Sequence, residues 1–252
     1  MFWDISLLIL GLAALTVGAE GLVRGSASLA IRLGLTPLIV GLTIVAFGTS
    51  TPELVVSLGA SLNNHPDISI GNVVGSNIFN IGIILGLTAL LYPVKVSLQV
   101  IKHDGPIMIA ASLLSLFLIT QGTISRPAGI GLFTALVAYT GFTIWSARKG
   151  VSSEIERQFE DGVPSQSKSL YRDLLYIGGG LLVLVAGSRL LVVSATDIAR
   201  FFGISEAVIG LTIIAAGTSM PELATSIVAA LRRQADIAVG NVVGSNIFNI
   251  LG

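Results

Sequence analysis

A twelve-residue stretch with unusual chemistry occurs twice in this sequence. AFGTSTPELVVS covers residues 46–57, and AAGTSMPELATS covers residues 215–226. In both, a glutamate (Glu53 and Glu222) directly follows a proline inside an apolar segment. Proline has no N–H and its ring clashes with the carbonyl one turn earlier, so each stretch predicts a broken helix with released backbone carbonyls. In a membrane, such backbone is tolerated only where it faces protein or a watery cavity.

The two copies together present candidate ligands that are all oxygen atoms. They are the carboxylates of Glu53 and Glu222, the hydroxyls of Thr49, Ser50, Thr218 and Ser219, and backbone carbonyls around residues 46–49 and their equivalents. Ca²⁺ accepts six to eight oxygen ligands, Mg²⁺ tends to keep its waters, and soft metals prefer sulfur or imidazole. The set therefore predicts a calcium site. Two Na⁺ or two protons would neutralise its two negative charges equally well.

A second shared motif, GNVVGSNIFN, follows each stretch at residues 71–80 and 240–249. Its polar residues at i, i+4 and i+8 line one helical face and could complete a coordination shell. They are Asn72, Ser76 and Asn80 in the first copy and Asn241, Ser245 and Asn249 in the second. The remaining small or polar members, Gly71, Gly75, Asn77, Gly240, Gly244 and Asn246, are expected to pack helices together.

The composition indicates that these motifs lie in a membrane. Of 252 residues, 53% are hydrophobic and 11% are charged, with a mean hydropathy of +0.89. A soluble domain needs far more charge to cover its surface. The net charge is zero, which argues against a nucleic-acid partner. There is no cysteine, and two separate histidines, His65 and His103, both expected in loops, cannot form a zinc centre.

Apolar runs long enough to cross a bilayer predict an all-α polytopic protein with eight spans. They cover roughly 5–23, 38–62, 68–91, 106–120, 128–146, 174–193, 207–231 and 237–252. The first run lacks a preceding basic residue, so it is not an obvious signal peptide. With the N-terminus outside, eleven of the 14 lysines and arginines fall on the cytoplasmic side. The sequence therefore predicts an outside N-terminus.

The two halves of the chain are related by a long repeat. Shifting the sequence by 169 residues aligns 41–81 with 210–250 without a gap, and 27 of those 41 positions are identical. Five predicted spans separate the starts of the copies, so the second copy must cross the membrane in the opposite sense. Inverted repeats are typical of secondary transporters, in which two halves expose a shared midplane site alternately to each side.

The repeat also predicts the domain organisation. Residues 1–146 form a first five-helix repeat, 147–173 form a polar cytoplasmic linker, and 174–252 form the second, inverted repeat. Residues 84–150 have no counterpart after Gly252. We therefore expect two further spans, which would give ten helices in a 5+5 arrangement.

The two motif pairs, GTSTPEL and GTSMPEL, each followed by GNVVGSNIFNI, resemble the two α-repeats of the Ca²⁺/cation antiporter superfamily, in particular prokaryotic sodium/calcium exchanger-like proteins. The resemblance implies ten helices, an extracellular N-terminus and four central helices that hold the ions, past which spans one and six slide. It also implies the ligands: the Glu53 and Glu222 carboxylates, the Ala46 and Ala215 carbonyls, and oxygens from Thr49, Ser50, Thr218, Ser219, Ser76, Asn80, Ser245 and Asn249.

One departure from that family leaves the coupling ion open. Sodium/calcium exchangers often have an aspartate at the position of Asn249, so three Na⁺ against two glutamates would leave a charge of +1. We expect exchange of Ca²⁺ for Na⁺ in a prokaryotic plasma membrane, with H⁺-coupled or K⁺-dependent exchange as alternatives. A cation channel is a further alternative. An intramembrane hydrolase is disfavoured because no nucleophile or metal triad accompanies the carboxylates. We expect no enzymatic activity and no cofactor, only lipid and inorganic cations as partners.

Glu20 precedes Arg24 by one helical turn, and its repeat-equivalent position is Arg189. Because charges buried in a membrane generally pair, we predict an ion pair here, either local or between the two halves.

Overall fold

A computed structural model describes residues 2–94, 96–147 and 169–252, and all secondary structure in these ranges is helical. The helices are α1 (Phe2–Leu33), α2 (Pro37–Thr49), α3 (Thr51–Leu62), α4 (Pro66–Leu91), α5 (Val100–Thr120), α6 (Arg126–Ala147), α7 (Leu170–Phe201), α8 (206–217), α9 (Met220–Leu231) and α10 (Ala235–Leu251). His65 lies in the turn before α4, as expected, but His103 lies inside α5, so the loop prediction for His103 was wrong.

Five of these helices, α1, α4, α5, α6 and α7, are long and apolar enough to cross a membrane by themselves. A sixth span is possible if α2 and α3, which are bent by 44° at their junction, count as one. Helices α9 and α10 are apolar but shorter. The prediction of eight spans therefore stays a prediction, and the cytoplasmic linker lies largely outside the described residues.

The backbone of the two copies departs from ideal helix at equivalent positions. Gly34 and Gly203, which are 169 residues apart, end α1 and α7 with positive φ angles of 64° and 73°. A non-glycine pair at the same spacing, Asn64 and Arg233, has φ angles of 60° and 58° in the turns before α4 and α10. Residues other than glycine rarely adopt this left-handed backbone conformation. Its recurrence at equivalent positions shows that both copies fold locally in the same way.

The first helices of the two copies, α1 and α7, pack against each other in antiparallel orientation. A Cβ atom built on Gly11 would lie 2.9 Å from Leu191 N, whereas one on Gly18 would lie 2.8 Å from Gly180 O. Contacts thus move toward the start of α7 as they move toward the end of α1. Backbones approach this closely only at small residues, so glycine at these positions is what allows the two long helices to pair.

Helix α10 lies against α2 through the second copy of the glycine motif. A Cβ on Gly240 would come within 2.6 Å of Leu38 O, and one on Gly244 within 2.6 Å of Leu42 O. The packing prediction is confirmed for this pair. It was wrong for Gly71 and Gly75, because no heavy atom of the described residues other than their own helix backbone lies within 4 Å of a Cβ placed there.

Candidate cation site

Both predicted helix breaks occur, and they have the same geometry. Ser50 separates α2 from α3 with φ −81° and ψ 0°, and Ser219 separates α8 from α9 with φ −87° and ψ 5°. These angles lie in the sparsely populated bridge region, where many functional residues are found. A wide π-helical turn precedes each break, at Gly41–Val45 and Gly210–Ile214. Such turns are also frequent at functional sites.

The two breaks face each other, and each glutamate is held by the serine of the other copy. Ser50 Oγ donates a hydrogen bond to Glu222 Oε1 at 3.0 Å, and Ser219 Oγ donates to Glu53 Oε1 at 2.9 Å. Glu53 is 1% exposed and Glu222 is fully buried. Residues separated by more than 160 positions thus meet at one central place, as the repeat argument predicts for a shared site.

Several oxygen atoms around this crossing are buried without a hydrogen-bond partner among the described residues. They are Glu53 Oε2, Glu222 Oε2, Ser76 Oγ, Asn80 Oδ1 and Ser245 Oγ. A buried polar atom without a partner is costly, and a buried carboxylate oxygen more so. Both carboxylates accept from the serines of the same crossing, so their negative charges repel each other when both are ionised. This donor set suits a hard cation, which would satisfy the free oxygens and neutralise the charge.

The amides of the second motif form matching contacts in both copies. Asn72 Nδ2 donates to Glu53 O at 3.0 Å and to Ser57 Oγ at 2.9 Å. Asn241 Nδ2 donates to Glu222 O at 3.3 Å and to Ser226 Oγ at 3.0 Å. Both asparagines lie on the helical face that the motif offered to a coordination shell, although the resemblance does not include them among the ligands. Their shared contact with the glutamate backbone was not apparent from the motif.

The threonine hydroxyls of the predicted set contact these asparagines. Thr49 Oγ1 lies 3.0 Å from Asn241 Oδ1, and Thr218 Oγ1 lies 3.4 Å from Asn72 Oδ1. Thr49 Oγ1 also lies 3.1 Å from Val45 O, so Val45 O and Asn241 Oδ1 share the single hydroxyl proton of Thr49. The hydroxyls therefore link the two copies, and a hydroxyl oxygen that donates its proton in this way still has lone pairs for a cation.

The predicted carbonyl ligands differ between the copies. Ala46 is buried and its carbonyl accepts a hydrogen bond from Ser50 N at 2.9 Å, so it is not released as the proline argument predicts. Ala215 is exposed, and Ser219 N donates to Ala216 O instead. The proline-released carbonyl of Gly217 is capped by Ser188 Oγ of α7 at 2.6 Å.

Asn80 and Asn249 take part in a second reciprocal pair of amide contacts. Asn80 Nδ2 donates to Asn246 Oδ1 at 3.0 Å, and Asn249 Nδ2 donates to Asn77 Oδ1 at 3.1 Å. Asn80 is buried and Asn249 is partly exposed. Asn77 and Asn246, expected only to pack helices, thus orient the amides of both predicted ligands.

Ion pairs connect α1 to the end of α9 and to α7. Glu20 pairs with Arg24, which confirms the local ion pair, and it also accepts from Arg232 Nε at the end of α9 at 3.0 Å. At the other end of α1, Arg32 Nε donates to the buried Asp173 of α7 at 2.8 Å.

A cavity of about 320 Å³ lies between α3, α4, α5, α6 and the end of α10. Its walls are mainly apolar, and one face of α3 contributes Ser50, Glu53, Ser57 and Ser61. The cavity thus runs along α3 toward the helix break.

The geometry defines a helical membrane protein with a buried, acidic, all-oxygen site at the crossing of two broken helices. The family of sodium/calcium exchanger proteins matches residues 3–145 and 173–252. The chain is 41% identical to inner membrane protein YrbG of Escherichia coli, with 98% of this chain and 76% of that protein covered. It is 34% identical to the sodium/calcium exchanger MaX1 of Methanosarcina acetivorans, with 97% and 79% covered.

Solved structures of the sodium-calcium exchanger NCX_Mj have the same fold. The form soaked with 2.5 mM Na⁺ and 0.1 mM Ca²⁺ superimposes with a TM-score of 0.85 at 32% identity, covering 100% of this chain and 80% of that one. The chain therefore belongs to the sodium/calcium exchanger protein family, and its resemblance to prokaryotic members is confirmed. It is a membrane cation exchanger of a transporter family.

Proposed function

We propose that this protein exchanges Ca²⁺ for Na⁺ by alternating access, and that Glu53 and Glu222 bind both ions at one central site. The observation that carries the proposal is the crosswise hydrogen bonding of the two glutamates, each of which keeps one buried oxygen without a partner. The remaining ligands are oxygens of Thr49, Ser50, Thr218, Ser219, Ala46, Ala215, Ser76, Asn80, Ser245 and Asn249.

Charge explains why such a site exchanges ions. A single charged side chain at the centre of a bilayer costs at least about 2.5–3.5 kcal/mol, so two facing carboxylates make the empty site unfavourable. One Ca²⁺ or two monovalent cations remove the net charge. A carrier of this kind moves between its two orientations when loaded and resists moving when empty, which couples the two ion fluxes.

The antiparallel pairing of α1 with α7 supports two halves of opposite orientation in the membrane. In the predicted topology, the tightly packed α2, α9 and first half of α10 lie on the cytoplasmic side, and α3 with the adjoining cavity lies on the outside. We infer that this conformation faces outward. The inverted arrangement, the outside N-terminus and the completion of the second half by two further spans belong to the same proposal.

Uptake of ⁴⁵Ca²⁺ into proteoliposomes with imposed Na⁺, H⁺ or K⁺ gradients tests the function. We expect uptake driven by an outward Na⁺ gradient and abolished in Glu53→Gln and Glu222→Gln. Uptake driven only by a proton gradient, or only with K⁺ present, would replace Na⁺ as the coupling ion. Flux that does not saturate and needs no counter-ion would indicate a channel instead.

A voltage measurement in the same vesicles separates the stoichiometries. With Asn249 in place of an aspartate, the described site contains two carboxylates, and exchange of one Ca²⁺ for two Na⁺ moves no net charge. We expect uptake that is insensitive to a valinomycin-clamped potential. A steep dependence on potential would instead require a third Na⁺.

A further inference from the structure

We propose that Asn72 and Asn241 are positioning residues for cation binding, and that each holds the glutamate-bearing helix of its own copy against the helix break of the other. The inference deepens the proposed function, on which it rests, because it assigns a role in Ca²⁺ affinity to two residues that donate no ligand atom.

The first step of the argument is the orientation of the two amides. Glu53 O and Glu222 O are carbonyl oxygens and can only accept hydrogen bonds, so the NH₂ group of each asparagine must face them. The same NH₂ group donates to the serine one turn later, Ser57 or Ser226. Each amide therefore donates two hydrogen bonds to α3 or α9, one to the glutamate and one to the serine a turn later. These bonds fix the rotation of that helix about its axis.

The second step is what the other end of each amide contacts. With NH₂ turned toward its own copy, the Oδ1 atom faces the threonine that precedes the break in the other copy. The Thr49–Asn241 contact is 3.0 Å and buried, and the Thr218–Asn72 contact is 3.4 Å and partly buried. One side chain thus connects the backbone of the glutamate in one half to the threonine hydroxyl beside the break in the other half.

The third step is the consequence for binding. A cation binds at the crossing only when both carboxylates and both helix breaks are correctly placed relative to one another. Residues that orient ligands from outside the coordination shell typically change metal affinity by about 10–100-fold when they are removed. The three contacts made by each asparagine recur at equivalent positions of the two copies, so the arrangement is a feature of the repeat and not of one local fold.

Equilibrium Ca²⁺ binding to the purified chain tests the inference, with leucine as a substitution of similar size that makes no hydrogen bonds. We expect Asn72→Leu and Asn241→Leu to raise the dissociation constant about 10–100-fold, while the maximal ⁴⁵Ca²⁺ uptake rate at saturating Ca²⁺ is retained. The matched control is Asn63→Leu. Its amide also donates to a carbonyl of α3, Gly59 O at 2.7 Å, but it is exposed and away from the site. We expect its dissociation constant to stay within about twofold.

A double-mutant cycle between Thr49→Val and Asn241→Leu separates positioning from general stability. Because the two side chains act through one contact, we expect their effects on the Ca²⁺ dissociation constant to be less than multiplicative. Multiplicative effects in this cycle would overturn the link between the copies.

The outcomes are distinguishable from failure of the proposed function. A wild-type chain that binds no Ca²⁺ overturns the proposed function and the inference with it. Equal Ca²⁺ affinity in the wild type and both leucine variants overturns the inference alone. If the leucine variants do not fold, Ser57→Ala and Ser226→Ala, which each remove one acceptor, are expected to raise the dissociation constant about twofold to tenfold. Unchanged affinity in these serine variants would then overturn it.

Discussion

The same glycine motif has different surroundings in the two copies of the repeat. Gly240 and Gly244 of α10 lie against the backbone of α2, whereas the equivalent Gly71 and Gly75 of α4 have open space around them within the described structure. The sequences of the two motifs are identical from 71 to 81 and from 240 to 250. Local sequence therefore does not decide the packing. The difference shows that one motif can exist packed and unpacked, as two conformations related by exchange of the copies would require.

The contacts that α1 and α7 make with the other helices also differ between the two copies, because the equivalent residues are not the same. Glu20 and Arg232 form an ion pair, but the equivalent positions in the other copy contain Arg189 and Asn63. Ser188 donates to Gly217, but the equivalent positions contain Ala19 and Gly48. Neither equivalent pair can bond through its side chains in the same way. If the proposed alternating access exchanges the conformations of the two copies, these two contacts stabilise the conformation described and have no counterpart in the other.

Valine substitutions in the glycine motif give the largest expected contrast. A Cβ on Gly244 would lie 2.6 Å from Leu42 O, so Gly244→Val must separate α10 from α2 and is expected to lower the free energy of unfolding by about 1–3 kcal/mol. Gly75→Val has room in this conformation and is expected to leave thermal stability unchanged. It would clash in the exchanged conformation, so we expect it to slow ⁴⁵Ca²⁺ uptake. Equal thermal destabilisation by both valines would remove the contrast between the copies.

An effect of at most the same size is expected where α7 caps the break of the second copy. Ser188→Ala leaves the buried Gly217 carbonyl without its hydroxyl partner, which should cost about 1–3 kcal/mol of stability. The reciprocal substitution Ala19→Ser supplies a hydroxyl at the equivalent place on α1. We expect a smaller destabilisation, because the added hydroxyl is buried but can donate to the carbonyl one turn earlier in α1. Thermal unfolding in detergent measures both, and a destabilising effect of Ala19→Ser equal to that of Ser188→Ala would contradict the expectation.

The smallest effect is expected from the ion pair, which is partly exposed. Such pairs contribute about 0.2–1 kcal/mol, so Arg232→Gln should only shift the balance between conformations. The chain contains no cysteine, and Ser61→Cys in the wall of the cavity therefore provides a single labelling site. We expect slower maleimide labelling of that cysteine when Arg232→Gln is added, since the conformation that we propose to face outward loses a contact.

Asn63→Glu is the matched substitution, because it adds an ion-pair partner where Arg232→Gln removes one. It places a carboxylate at the position equivalent to Arg232, and in the exchanged conformation this carboxylate would pair with Arg189, the equivalent of Glu20. We expect it to favour the exchanged conformation and also to slow labelling of the cysteine in the cavity wall. Faster labelling in either variant would show that the ion pair does not favour this conformation.

The sequence predicted the parts of this structure that depend on local chemistry and on the repeat. Pro52 and Pro221 placed both breaks, and the 169-residue shift indicated that Glu53 and Glu222 share one site. Contacts between distant segments could not be predicted in the same way. Asn241 and Thr49 are 192 positions apart, and nothing in either motif shows that the amide contacts the threonine of the other copy.

The sequence also did not predict which copy of the glycine motif is closely packed. Identical motifs predicted identical packing, and this was wrong for Gly71 and Gly75 because packing also depends on the segments that surround each motif. The partner Arg232 of Glu20 was missed for a related reason, since the ion pair forms between α1 and a helix end more than 200 residues later.

Counting the Ca²⁺ ions bound per chain tests the shared site most directly. We expect equilibrium titration with ⁴⁵Ca²⁺ to give one high-affinity ion for the wild type, and none for either Glu53→Gln or Glu222→Gln, because each variant removes half of one site. Two ions in the wild type, with one retained by each variant, would mean that the glutamates form separate sites and would contradict the account.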